Sequence, residues 1–478
     1  MKLALPTHIP VRYAASFSLI LLALELAEGT PLLLALTAQA FVLVATVAFN
    51  IAGGLAYPSG ACIFFNAMLS LIVGLVVKAV LGEPLNSNLS MPQQTMLIYL
   101  AGMVFILVAV YFSTRLRTKR GLLERLDPAQ RVDQVGIGCI LIAFFVPYLI
   151  PASLQGTFSQ FNSAFVYFAI LLPVYYRVKQ TDGMRSFHYV AFIGWVYLTY
   201  TYGVVGLSKQ GLFGPSVAWA LAAAAAGYRV TLARVVVLSA TAVLAVTLLT
   251  PYSQLARNYR GEANESEMTT QLLMHPFETR AQYNELLRQS YVTGADYHWF
   301  DEPQGLLDRL TMIPVDDALV WSTENVRPGS PLALWSYVLN MVPRYLYPGK
   351  PTLLWGNVYA HDIGLIGEND ESTGISFTPY ADAYHTAGWL GVTLLLGLFF
   401  FAMFYVCDSV SGSIAKTQWG LVYLIYFSHA ASEGMLGMTT YAISTTSVAL
   451  ICGALISTYI APVIGNLVIF GRRATLRA

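Results

Sequence analysis

Charge is what this chain has least of. Only 11% of its 478 residues are Asp, Glu, Lys or Arg, against roughly 25% in a soluble globular domain. The formal net charge is +1, so no bulk field favours nucleic acid as a partner. Cysteine is equally scarce. Cys62, Cys139, Cys407 and Cys452 all lie in or beside apolar runs, which excludes disulfide staples in the polar part of the chain and leaves no metal-type spacing. They read as four buried small hydrophobes. No Walker loop, Rossmann glycine fingerprint or zinc motif occurs, so the chain is expected to use no cofactor and no metal, which argues against a nucleotide-driven pump. No internal repeat stands out, which weighs against inverted-repeat transporters. The alternating ten-residue segments of a membrane barrel are missing too.

What is present is apolar helix. Hydrophobic residues make up 56% of the chain and mean hydropathy is +0.58. Runs of about 20 apolar residues recur, the length that crosses about 30 Å of hydrocarbon. The expected fold is an all-α polytopic integral membrane protein with about twelve transmembrane helices. They fall near Val11–Ala27, Leu32–Ile51, Gly60–Leu81, Thr95–Tyr111, Val135–Ile150, Phe161–Tyr176, Tyr189–Val205, Ser216–Tyr228, Val235–Leu249, Gly388–Tyr405, Trp419–His429 and Ile443–Ile464. The first run has no cleavage site followed by a soluble domain, so it reads as a retained span rather than a signal peptide. The Ala222–Ala226 run reads as close helix packing by small residues.

Basic residues set the orientation. Arg115, Arg117, Lys119, Arg120, Arg125 and Arg131 follow the fourth span; Arg177, Lys179 and Arg185 the sixth; Arg229 and Arg234 the eighth; Lys416 the tenth; Arg472, Arg473 and Arg477 the last. With twelve spans these all share a side with Lys2 and Arg12, which the positive-inside rule assigns to the cytoplasm together with both termini. The chain then divides into spans 1–9 (1–250), a large outer loop (251–386) and spans 10–12 with a cytoplasmic C-terminus (387–478).

The loop is net negative although it holds Arg257, Arg260, Arg280, Arg288, Arg309, Arg327, Arg344 and Lys350. Loops of this length escape the orientation rule and are rarely structureless. Glu278–Val292, Gln304–Met312 and Val315–Trp321 read as amphipathic helices. Pro331–Val342 is more apolar and is expected to lie at the outer interface, ended by Pro343.

Several residues in and around this loop offer chemistry. Lys209, in GLSKQGLFGP, is either a snorkelling lysine at a helix end or a cation facing a phosphate, with Gly206, Gly211 and Gly214 permitting close approach. Arg257 and Arg260, three residues apart, share a face if the ninth helix continues outward. They read either as interfacial anchors or as a guanidinium fork for a diphosphate. Arg344 and Lys350 flank YLYPG among Pro343, Pro348 and Pro351, which restrict the backbone around them. His361-Asp362 and Asp382 with His385 are carboxylate–histidine neighbours, so any of these could serve as a general base or its orienter, or be plain polar surface. Glu433, in ASEGMLGM, is an ionisable group at membrane depth and a functional candidate on that ground. His429 lies one turn earlier on the same face. Trp335, Tyr345, Tyr347 and Trp355 could stack on sugar faces or pack against the membrane.

The stretches VPRYLYPGKP and STGISFTPYADAYHTAGWLGV resemble the signature region of Wzy-type O-antigen and related surface-glycan polymerases, with its Pro-aromatic-Pro-basic-Pro run and its Ser/Thr-Pro segment before a glycine-bearing helix. GLSKQG resembles the family's Gly-(Ser/Thr)-Arg turn, with Lys209 where arginine is expected. ASEGML resembles its Arg-Glu-Gly turn, with Ser432 in place of arginine and Glu433 kept. The layout, many spans and one large outer loop shortly before the last three, is similar as well. The resemblance implies a GT-C-like membrane enzyme related to O-antigen ligases. It would be a metal-independent glycosyltransferase that polymerises undecaprenyl-diphosphate-linked repeat units at the periplasmic face of the bacterial inner membrane. Partners would be the lipid-linked oligosaccharides, membrane lipids and a chain-length regulator protein. The acceptor hydroxyl attacks the anomeric carbon and the lipid diphosphate leaves, which calls for a cationic hole and a base. Lys209, Arg257, Arg260, Arg344 and Lys350 are the expected diphosphate ligands. Asp382 or His385, then Glu433 or His361, are the expected bases, with Trp335, Tyr345 and Tyr347 on the sugars. Two alternatives stay open. One is a ligase moving finished glycan to another acceptor; the other is a lipid-linked glycan flippase without chemistry.

Overall fold

The computed structural model describes residues 2–128, 131–150, 152–262, 264–293, 297–305, 307–342, 346–347, 349–351, 354–371 and 373–475. Arg344 and Tyr345 lie outside the described residues. Among those described there are helices and no strand. Seven helices are long and apolar enough to cross a membrane: Leu32–Ala56, Pro58–Leu81, Pro92–Leu116, Val132–Leu149, Leu232–Tyr259, Pro379–Ser411 and Gly437–Tyr459. The chain is an all-helical membrane protein.

Local chemistry accounts for where these helices start. Pro58, Pro92 and Pro379 each take the first helical turn, where a missing N–H costs nothing. Thr378 caps the last of these, its hydroxyl accepting from the Ala381 N–H at 3.3 Å. The helix Leu232–Leu255 runs through Pro251, so the polar segment leaves the bundle a turn later than the proline suggests. Neighbouring groups in a bundle can satisfy the carbonyl a proline frees. Small residues permit a close helix crossing: Gly138 lies against the Ala461 backbone and Gly465 against that of Gln134, where an added Cβ would sit 2.1 Å from a carbonyl oxygen. Cys62, Cys139 and Cys407 are buried as expected, but Cys452 is exposed, because it falls on the outward face of the helix Ser447–Tyr459.

Buried polar contacts tie the polar segment to the bundle. Asp317, in the helix Ile313–Asn325, accepts from the Ser90 and Met91 N–H groups at 2.5 and 3.1 Å and from Thr95 at 2.8 Å. It thereby satisfies donors that the helix Pro92–Leu116 leaves open at its start. Asp316 beside it accepts from Tyr99 at 2.6 Å and from the Thr378 N–H at 3.1 Å. Burial, the largest influence, raises the carboxyl groups of both; that of Asp316 is pushed up to about 7. Trp299 donates to the Leu85 carbonyl at 3.0 Å. At the other end of the bundle Asp408 is buried and holds Ser59 (2.8 Å) and Arg117 (3.2 Å).

Within the polar segment the helices Pro276–Thr293, Ile313–Asn325 and Leu332–Asn340 occupy three of the stretches expected to be helical. Over Gln304–Met312 there is instead one 3-10 turn, Leu307–Arg309. The Asp308 carboxylate accepts from the Gln304 N–H at 2.8 Å, a local bond that competes with helix. Two further helices, Glu265–Met274 and Trp355–Asp362, were not anticipated.

Candidate functional site

Stretches far apart in sequence converge on one cavity of about 700 Å³. Its lining comes from the start of the helix Lys209–Ala225, the helix Leu332–Asn340, the chain at Leu354–Gly356 and Gly374–Ile375, and the chain from Val422 to Ala449. Five aromatic side chains, Tyr167, Tyr337, Trp355, Tyr426 and Tyr441, stand in a wall that is otherwise mostly aliphatic and glycine. Tyr426 and Tyr441 stack with centroids 5.7 Å apart and planes 16° apart, and Tyr426 donates to the Met438 carbonyl at 3.0 Å. Rings with a flat apolar body and a polar tip suit the faces and edges of sugars. Besides the tyrosine hydroxyls, the polar lining is Gln210, Asn340, His429, Thr445 and Thr446. Gln210 Nε2 and His429 Nε2 are 3.1 Å apart.

Among the described residues no cation lines the cavity, but two stand on or against elements that do. Lys209 is half-buried and opens its helix immediately before Gln210. The helix start adds N–H groups and a positive dipole end. The turn before it places Leu207 at φ +50° and is held by the two arginines. Arg257 Nε donates to the Leu207 carbonyl at 3.1 Å, and an Arg260 terminal nitrogen to that of Gly206 at 3.0 Å. They belong to the 3-10 turn Ala256–Tyr259 and the residue after it. Side chains three apart eclipse in such a turn, so the pair stays aligned although the α-helix has ended. The structure therefore brings Arg257 and Arg260 onto the turn that precedes Lys209. A guanidinium carries five donors, so holding a carbonyl is compatible with meeting an anion. Lys350 donates to the Val342 and Asn340 carbonyls at 2.9 and 3.5 Å, closing the end of the helix whose Asn340 lines the cavity.

The acid–base candidates separate. Asp382 is wholly buried behind the wall. It accepts from Tyr359 at 2.9 Å, Tyr337 at 3.2 Å, Thr386 at 3.3 Å and the Leu436 N–H at 2.7 Å. Burial, then the nearby Asp382, pushes up the phenols of Tyr337 and Tyr359, so both remain neutral donors. Asp382 thus fixes the Gly434–Leu436 turn, where Met435 takes φ +54° and donates its N–H to the Phe377 carbonyl at 3.2 Å. Two motif-bearing segments are joined by this carboxylate. His385 is also wholly buried: Nδ1 is 2.8 Å from Thr323 Oγ1, and Nε2 is 3.6 Å from Asp362, which pairs with Arg327. His361 Nε2 is 3.1 Å from the Asp370 carbonyl and holds a local loop. Glu433 is exposed at the end of the helix Leu421–Glu433, next to the cavity-lining Gly434. None of these four lines the cavity.

The aromatic candidates separate as well. Trp335 (58% exposed) and Tyr347 (43% exposed) face outward, whereas Trp355 lines the cavity and donates to Ser336. Gln210, Tyr337, Tyr426 and Tyr441 were missed from sequence, since aromatic and amide residues in an apolar helix give no periodic signal. His429 was visible only as a neighbour of Glu433. Among the described residues no group of three or more His, Cys, Asp or Glu side chains is placed to hold a metal ion. No family model, curated protein or solved structure matches the chain.

Proposed function

We propose that this chain is a metal-independent glycosyltransferase that polymerises undecaprenyl-diphosphate-linked oligosaccharide repeat units. The observation that carries the reading is the cavity: five aromatic side chains in its lining, with Lys209 one residue before the lining Gln210 and Lys350 bonded to the carbonyl of the lining Asn340. Three of the segments that resemble Wzy-type polymerases, around Lys209, Asp382 and Glu433, contribute the lining residues Gln210, Gly374, Ile375, Gly434 and Met435, which supports this reading. In this reading twelve helices span the bacterial inner membrane. They are the seven long apolar ones and five others: Val11–Ala27, Ala152–Gln180, Tyr189–Val205, Lys209–Ala225 and Leu421–Glu433. Both termini are cytoplasmic, and the polar segment and cavity face the periplasm, where a chain-length regulator protein would meet them.

The acceptor hydroxyl attacks the anomeric carbon of the donor glycan, and the bond to the diphosphate oxygen breaks. Charge grows on the departing diphosphate, and fixed cations and a helix N-terminus beside it lower the barrier without a metal. Lys209 and Lys350 supply that charge, Arg257 and Arg260 set the turn that aims Lys209, and Arg344 joins them. Tyr337, Trp355, Tyr426 and Tyr441 hold the sugars.

The test is reconstitution of the purified protein with a short synthetic undecaprenyl-diphosphate oligosaccharide, without metal or nucleotide, resolved on a gel. A ladder spaced by one repeat supports the polymerase. A single transfer to an unlike acceptor replaces it with the ligase. Unchanged substrate across a panel of repeats overturns the transferase reading in favour of transport, which lipid flipping in liposomes then measures.

A further inference from the structure

We infer that His429 is the base that takes the proton of the attacking hydroxyl, an assignment that rests on the transferase reading. His429 Nδ1 lies 3.1 Å from the carbonyl oxygen of Ile425, one turn earlier in its helix. A carbonyl oxygen only accepts, so Nδ1 carries the ring hydrogen. In the neutral ring Nε2 then holds the lone pair, and Nε2 is the atom that meets Gln210 in the cavity wall, accepting from its amide at 3.1 Å. Tautomer and direction are thus fixed from both ends by groups on two different helices. The Tyr426 ring stands edge-on to the imidazole, centroids 5.8 Å apart.

No other described residue in the lining offers a nitrogen with a free electron pair. Asp382 is spent on four hydrogen bonds and His385 is sealed behind the wall. Gln210 is the residue after Lys209, so the proposed base and the proposed diphosphate cation are set by the start of one helix. The titratable groups that share the lining with His429 are Tyr167, Tyr337, Tyr426 and Tyr441; Lys209 precedes Gln210, and Glu433 follows His429 by one helical turn.

In the step, the hydroxyl oxygen bonds to the anomeric carbon as the carbon–diphosphate bond breaks. The hydroxyl proton passes to Nε2, displacing the Gln210 amide, and the diphosphate leaves with the bonding electron pair. The imidazolium returns its proton to water before the next turnover.

The experiment uses wild type and His429→Gln in proteoliposomes with the synthetic undecaprenyl-diphosphate oligosaccharide. The expected result is a fall in kcat of about 100-fold or more with KM little changed, and loss of the acid limb of the pH–rate profile. Gln210→Ala is expected to move that limb, which a purely structural role would not do. A wild-type ladder matched by His429→Gln within threefold overturns the assignment and leaves the transferase standing; no ladder from wild type overturns both. If His429→Gln does not fold, diethyl pyrocarbonate on the wild-type protein decides. Inactivation that follows modification of His429, slowed by the oligosaccharide and reversed by hydroxylamine, supports the assignment; full activity with His429 modified overturns it.

Discussion

Tyr99 and Asp316 are 217 positions apart and share a buried hydrogen bond of 2.6 Å. Tyr99 belongs to the helix Pro92–Leu116 and Asp316 to the helix Ile313–Asn325 of the polar segment. Asp316 also receives the Thr378 N–H, so this carboxyl joins the bundle, the polar segment and the start of the helix that runs back into the bundle. Tyr99→Phe removes one donor and keeps the ring. It should cost about 1–3 kcal/mol, the penalty for a buried acceptor losing a partner, read as a lower unfolding temperature in detergent.

The same carboxyl makes stability depend on pH. Burial is the main cause of its rise from 3.8 to about 7, opposed by the bonds from Thr378 and Tyr99 and assisted by Asp382. The folded protein therefore keeps a proton that the unfolded chain has already lost. The contribution of this group is complete below about pH 4 and disappears as pH rises through about 7. Thermal unfolding between pH 5 and pH 8 should show higher stability at the acid end, and Asp316→Asn should flatten that difference. Tyr99→Phe, which removes a bond that holds the value down, should move the transition to higher pH.

The helices themselves were legible, because burial in lipid demands long apolar runs and prolines and polar turns punctuate them. The polar anchoring was not. Periodicity assigns Asp316 and Asp317 to a solvated face, whereas both are buried against Tyr99, Thr95 and the start of a helix more than 200 residues away. Charge marked Lys209, Arg257, Arg260 and Lys350, which adjoin elements that line the cavity without lining it themselves. The lining was not legible where it is aromatic, since tyrosines in a membrane helix look alike whether they face lipid or a cavity. Asp382 and His385 drew notice as a catalytic pair, but four bonds to the first and the burial of the second make them the frame of the site.

Gly388 marks the bend at which the buried helical turn Pro379–Thr386 passes into the apolar helix beyond it. It takes φ +56°, ψ −145°, a region open to glycine and almost closed to other residues. Nothing lies within 4 Å of where a Cβ would stand, so the cost of Gly388→Ala is backbone strain alone, about 1–3 kcal/mol. A reduced unfolding temperature is expected, with transfer activity falling as well, because Asp382 and the Gly434–Leu436 turn depend on this bend. An unchanged melting curve would show that the backbone relaxes into a regular helix there.

The cations allow a sharper distinction between charge and position. If Lys209 meets the diphosphate directly, Lys209→Ala removes a charge-assisted bond of about 1.5–3 kcal/mol, which is roughly a ten- to hundredfold loss in kcat/KM. Lys209→Arg should retain most of the activity, since the guanidinium keeps the charge at the same helix start. Lys350→Ala should produce a loss of similar size. Arg257 acts on the turn that precedes Lys209, through its bond to the Leu207 carbonyl, so Arg257→Ala should cost less on its own and should reduce the further effect of Lys209→Ala. A double-mutant cycle measures this coupling. Strictly additive losses would mean that Arg257 meets the substrate independently, and equal losses for Lys209→Arg and Lys209→Ala would mean that the position requires the lysine's shape rather than its charge.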